Sequence, residues 1–223
     1  MGTQPSTGET ARFLGRLPSA RHLTLAASFK AFAGYGAAVW TPAFLFRVHG
    51  MGTAEAGAWL GFITGFAGAA GAYFGGALVD RFAKRDLRYA MWIPGVASFA
   101  SVPFSVVLYG TDWLALALIC AVPSVFLSAV YLGPAFATAQ NLAKLRMRAM
   151  AAAILIFVIN LIGLGLGPQA VGIFTDLLDA RFGDHAIRYS LMSIQALMLL
   201  LAGLHFFLGA RTLREDLRAK DAT

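Results

Sequence analysis

Across 223 residues the chain is 58% hydrophobic and 13% charged, with a mean hydropathy of +0.68, which places it outside the composition of soluble globular domains. A net charge of +7 would suit a nucleic-acid partner in a soluble chain, but the basic residues sit at the ends of apolar stretches and no recognition motif accompanies them, so nucleic acid is not an expected partner. Cys120 is the only cysteine, and the four histidines, His22, His49, His185 and His205, form no ligand-spaced pair in the sequence; no disulfide, metal or cofactor is expected.

The first 21 residues are polar and basic, with no apolar core before a small-residue cleavage site, and read as a cytoplasmic leader or linker. Six apolar segments follow, at 22–46, 57–79, 89–110, 113–138, 149–176 and 189–210, and residues 211–223 read as a cytoplasmic tail. A hydrocarbon core of about 30 Å takes roughly 20 apolar residues in helical form, so each segment is long enough to span. The runs are continuously apolar rather than alternating, which predicts helices and excludes a barrel.

The first segment contains Lys30, the one ionisable residue well inside a span, together with Tyr35 and Trp40. An intramembrane charge costs about 2.5 kcal/mol or more, so Lys30 is a candidate site residue; contact with an anionic solute and snorkelling of its stem toward the cytoplasmic face both remain open. The second segment carries Gly57, Gly61 and Gly65 at four-residue spacing, a flat face suited to helix packing or to a sliding surface, with Thr64 beside it. Pro94 and Pro103 bend the third segment and Pro123 and Pro134 the fourth, which also holds Tyr131. The fifth combines a mid-membrane Asn160, whose amide needs a partner, with Gly163, Gly167 and Pro168, candidates for packing or gating. Lys30, Tyr35, Trp40, Thr64, Tyr131 and Asn160 are the candidate cavity and substrate residues, although helix packing accounts for most of them singly.

Basic residues in short loops stay on the cytoplasmic side. Of the 18 Lys and Arg, fourteen fall at one set of segment ends and only Arg47, Arg181 and Arg188 at the other, with Lys30 inside a span. This predicts six crossings with both termini cytoplasmic, in the inner (plasma) membrane.

The loop after the second segment reads GGALVDRFAKR, with Gly76, Asp80, Arg81, Lys84 and Arg85 in the order Gly, three residues, Asp, Arg, a two-residue gap and a basic pair. It resembles the signature loop of the major facilitator superfamily, with Ala83 where that family usually has glycine. GYGAAVWTPAFLFRVHGM together with FVINLIGLGLGPQAVG is similar to bacterial spinster-like members. The resemblance implies an all-α membrane protein of six helices in two inverted three-helix repeats, half of a twelve-helix fold. The endings Gly76-Ala77-Leu78-Val79-Asp80 and Gly172-Ile173-Phe174-Thr175-Asp176 fit such a repeat, and the basic leader suits the C-terminal half.

The resemblance further implies that the loop cluster stabilises one state of an alternating-access cycle, and that the chain takes part in secondary active transport of a small organic or amphiphilic solute. Its expected partners are membrane lipids, the solute and a second six-helix half, either another copy or a separate N-terminal half. The alternative is a truncated, non-transporting remnant or assembly partner. An enzyme is not expected, because no Gly-x-Ser-x-Gly is present and His205 has no serine partner in the sequence.

Overall fold

The computed structural model describes residues 6–222, helical almost throughout and without a strand among those residues. Residues 1–5 and 223, parts of the expected leader and tail, lie outside them. Helix α1 (Thr7–Arg16) opens on a capping box: the Glu9 amide donates to Ser6 Oγ at 3.2 Å and the Ser6 amide to Glu9 Oε2 at 2.8 Å. Helix α2 (Pro18–His49) begins on a proline, whose missing N–H is no loss at a first helical position. It stops at Gly50, where φ is +66° and the Met51 amide reaches back to Leu45 O at 3.1 Å, a left-handed closure that suits glycine.

Helix α3 (Thr53–Phe82) and helix α4 (Tyr89–Gly110) follow, then α5 (Leu114–Ala129), α6 (Leu132–Leu142), α7 (Arg148–Phe182) and α8 (Ala186–Ala222). Among the described residues four helical stretches are long and apolar enough to cross a membrane: Thr53–Phe82, Tyr89–Gly110, Leu114–Leu142 and Leu145–Lys220, the last containing α7 and nearly all of α8. Helix α2, at 32 residues, is about 48 Å long but more polar, carrying Arg21, Lys30 and Arg47.

The expected uninterrupted fourth segment, 113–138, is broken at Val130–Tyr131 and extends to Leu142. Pro134 explains the break: its ring opposes the carbonyl four residues earlier, that of Val130, and it supplies no N–H to bond it. The carbonyl freed in this way faces Gly75 of α3.

Helix α2 packs on α7 and α8, α4 on α5 and α8, and α3 on α5 and α6. One core gathers Leu23, Met91, Leu142, Leu155 and Phe206; a second gathers Phe44, Tyr109, Val171, Ile187 and Leu191. Helices α3 and α7 each bury a single narrow stripe. In α3 it is Ala56, Ile63, Ala67, Gly71, Gly75 and Val79; in α7 it is Ala151, Leu155, Ile159, Gly163, Gly167, Val171 and Thr175. Much of both helices is exposed, including Phe62, Phe66 and Tyr73 on α3 and Phe157, Leu161 and Leu164 on α7.

Residues 211–220, expected as a tail, continue α8 as a helix with two working faces. On one face the buried Asp216 accepts from the Ser19 amide at 2.8 Å and from Ser19 Oγ at 2.6 Å, satisfying a free donor in the first turn of α2. We expect Asp216→Ala to cost about 1 kcal/mol, as loss of a helix cap does, read as a lower melting midpoint of the chain in detergent.

Candidate functional site

Three of the candidate residues, Tyr35, Trp40 and Asn160, are tied into the helix packing. Tyr35 Oη donates to Asn160 Oδ1 at 2.8 Å, and Asn160 Nδ2 donates to Ile156 O at 2.9 Å, so the amide is satisfied on both sides. Trp40 Nε1 donates to Pro168 O at 2.8 Å. These bonds join α2 to α7 along a line where the two backbones meet: a Cβ at Gly163 would lie 2.7 Å from Ala31 Cβ, and one at Gly167 would run into the Phe32 carbonyl. Tyr35, Trp40, Asn160, Gly163, Gly167 and Pro168 are therefore one contiguous seam.

Gly57, Gly61 and Gly65 are placed differently. A Cβ on any of them would meet no atom within 4 Å among the described residues; the α3 glycines at which a Cβ would run into another backbone are Gly71 and Gly75. The reason is geometric: at four-residue spacing Gly71 and Gly75 continue the buried stripe of Ile63 and Ala67, while Gly57, Gly61 and Gly65 lie on an exposed face with the exposed Thr64.

Lys30 is enclosed within this bundle, at 3% exposure, rather than on an open wall. Among the described residues its Nζ has no hydrogen-bond partner, and it lies 5.7 Å from the centroid of the buried Tyr131 ring. The ring face offers a weak electrostatic contact in place of an acceptor. Ser28 Oγ, on the same helix, is also buried without a partner.

The expected signature loop is split by the structure: Gly76, half-buried, and the exposed Asp80 and Arg81 lie in the last turns of α3, and only the exposed Lys84 and Arg85 fall in the loop between α3 and α4. Ala83 sits at φ −63°, ψ −20°, an ordinary right-handed conformation, so the position usually held by glycine takes alanine without strain. Asp80 makes no ion pair among the described residues; the carboxylate that ties elements together here is Asp86. It accepts from the Arg88 amide at 2.9 Å, pairs with Arg88 at 3.1 Å and pairs with Arg214 of α8 at 2.8 Å. Arg88 in turn lies over the Trp92 ring, 4.7 Å from its centroid.

Burial disfavours the Asp86 charge, but the Arg88 hydrogen bonds and the charges of Arg214 and Arg88 outweigh it and hold the carboxyl below its ordinary range. A folded-state pKa below the unfolded one adds stability that is present above the unfolded value and lost as pH falls through the folded one. We expect acidification from about pH 7 to about pH 3 to lower the melting midpoint of the native chain more than that of Asp86→Asn, which has no charge to lose there.

Besides the Ser19–Asp216 and Asp86–Arg214 contacts, sequence reasoning missed other polar ties between helices. Gln195 Nε2 donates to Ala33 O at 2.6 Å between α8 and α2, and Thr41 Oγ1 meets Tyr109 Oη at 2.9 Å. The histidines treated as scattered include a pair, His22 and His205, with Nδ1 atoms 2.9 Å apart across 183 residues of sequence. These pairs lie 68 to 183 residues apart and depend on tertiary contact.

No family model matches the chain. It is 31% identical over 202 residues to an MFS-type efflux pump of Mycolicibacterium smegmatis, an alignment that covers 91% of this chain and 47% of the pump. Among solved structures it is similar to a bacterial homolog of the human lysosomal transporter Spinster. The inward-facing, unoccupied form superposes with a TM-score of 0.85 at 26% identity, covering 97% of this chain and 53% of that one. The inward-facing, occupied form gives 0.77, with 91% and 51% covered. The chain thus spans about half the length of the relatives it matches.

Proposed function

We propose that the chain belongs to the major facilitator superfamily and forms one six-helix half of a secondary transporter that moves a small organic or amphiphilic solute by alternating access. The observation that carries this reading is the match of nearly the whole chain to about half of a transporter, combined with two long helices, α3 and α7, that leave most of their surface uncovered. A second half of similar build would cover those faces and close a solute path between the two walls. That half is either a second copy or a separate N-terminal partner, and this chain supplies the C-terminal wall.

In this reading α2, α3, α4, the α5–α6 pair, α7 and α8 are six spans with both ends in the cytoplasm of a cell whose inner membrane holds the protein. The packing supports two inverted repeats. Exchanging α2 with α5–α6, α3 with α7 and α4 with α8 turns the α2·α7 contact into the α3·α5 contact and the α2·α8 contact into the α4·α5 contact, while α4·α8 maps onto itself.

Lys30 is the residue on which solute chemistry turns. An enclosed ammonium with no acceptor is matched when the helices around it part and a carboxylate or phosphate of the solute arrives, so the open state gains an ion pair that the closed state lacks. The segment bearing Asp80 and Arg81 at the end of α3 and Lys84 and Arg85 in the loop after it biases which state the halves adopt. Export is the favoured direction, since the M. smegmatis relative is an efflux pump.

The test is extrusion of a fluorescent anionic amphiphile from cells that make this chain together with a second half. Cells with the native chain should extrude it faster than cells with Asp80→Asn, whose exposed and unpaired site leaves the fold untouched. Equal rates for native, variant and empty cells across a panel of such amphiphiles would overturn the proposal.

A further inference from the structure

Where the α3–α4 loop meets the end of α8, the surface folds into a pocket of about 450 Å³ lined by Lys84, Arg85, Asp86, Arg214 and Arg218, with Leu87 and Leu217 as its apolar wall. We infer that this pocket is a binding site for a phosphate-class anion, the headgroup of an anionic phospholipid or free phosphate, held by Lys84, Arg85 and Arg218.

The charge within the pocket is unbalanced in a specific way. Its single carboxylate, Asp86, is already engaged by Arg88 and Arg214, and among the described residues no acceptor pairs with the side chains of Lys84, Arg85 or Arg218. Three free cations around one cavity repel one another, and an oxyanion with several acceptor oxygens relieves that repulsion. The wall is tied on both sides: Asp216 joins α8 to the Ser19 end of α2, and the Asp86–Arg214 pair joins the loop to α8.

The position favours an amphiphile. The loop joins two helices that are each long and apolar enough to cross a membrane, so it lies at a membrane face, where headgroups sit, and the half-exposed Leu87 offers a surface for an acyl chain. Basic residues that only set topology need not surround a cavity or share it with a clamped carboxylate.

The test titrates the purified chain in a neutral detergent with dioctanoyl phosphatidylglycerol, dioctanoyl phosphatidylcholine or inorganic phosphate, following the melting midpoint and the tryptophan emission. Phosphatidylglycerol is expected to raise the midpoint with a saturable dissociation constant, and phosphatidylcholine is not. In Lys84→Gln/Arg218→Gln, whose sites are exposed and unpaired, affinity should weaken roughly 25-fold, about fivefold for each cation removed. Arg12→Gln/Arg16→Gln, removing two exposed cations outside the pocket, should leave it unchanged. A shift with inorganic phosphate as large as with phosphatidylglycerol assigns the site to the free anion; a shift with phosphatidylglycerol alone assigns it to the lipid. Equal shifts for the two lipids with none from phosphate, no shift from any, or equal losses in both variants would overturn the site.

Discussion

Gly75→Ala should lower the stability of the chain by about 1–3 kcal/mol, the usual cost of forcing extra atoms into a filled contact, while Gly61→Ala on the same helix should be neutral or stabilising by up to about 1 kcal/mol. The added methyl at Gly75 would fall 2.8 Å from Val130 Cα and closer still to the Val130 carbonyl oxygen; neither is a flexible side chain that can step aside. The carbonyl stands there because Pro134 breaks the helix, so α3 and the α5–α6 pair must separate to make room. At Gly61 there is nothing within 4 Å, and a methyl only reduces the freedom of the unfolded backbone. Melting midpoints of the two variants in detergent measure the contrast; equal midpoints would mean that the α3–α5 seam is looser than described.

The second large effect separates stability from function. Lys30→Met replaces a buried ammonium without an acceptor by an apolar side chain of similar length, and we expect it to stabilise the chain by about 1–4 kcal/mol, in line with apolar replacement of buried charge. The same variant should lose transport of an anionic amphiphile when paired with a second half, because the solute's charge then meets no cation. A destabilised Lys30→Met would mean that the ammonium has a partner in the native chain, and a stabilised variant with full transport would place Lys30 outside the solute path.

The sequence carried the class of the protein because that class is a matter of composition and length. Apolar runs separated by short basic loops leave few alternatives to spanning helices, and the loop from Gly76 to Arg85 pointed to the family in which the chain's relatives are found. What stayed hidden depends on which face of a helix a residue occupies and on what packs against it. Gly57, Gly61 and Gly65 share their spacing with Gly71 and Gly75, yet only the latter two touch a neighbouring backbone, and spacing alone does not say which stripe is covered.

Lys30 was legible as an unusual charge, but its enclosure beside Tyr131 rests on the break at Val130–Tyr131, which was read as a bend rather than an end of a helix. Asp80 drew attention through its motif, whereas Asp86, six residues on, binds two arginines, one of them 128 residues away on α8. The partners of Asn160 and His22 lie 125 and 183 residues away, beyond what any local pattern encodes.

The central claim is that this bundle is one of two walls, and the mass of the purified chain in detergent, measured with bound detergent subtracted, tests it most directly. We expect particles containing two six-helix units, either two copies of the chain or the chain with a co-expressed separate half, and we expect Gly61→Leu to return them to single units by filling the open face of α3 without disturbing the chain's own packing. A native chain that stays a single unit, alone and with every candidate half, would contradict the account.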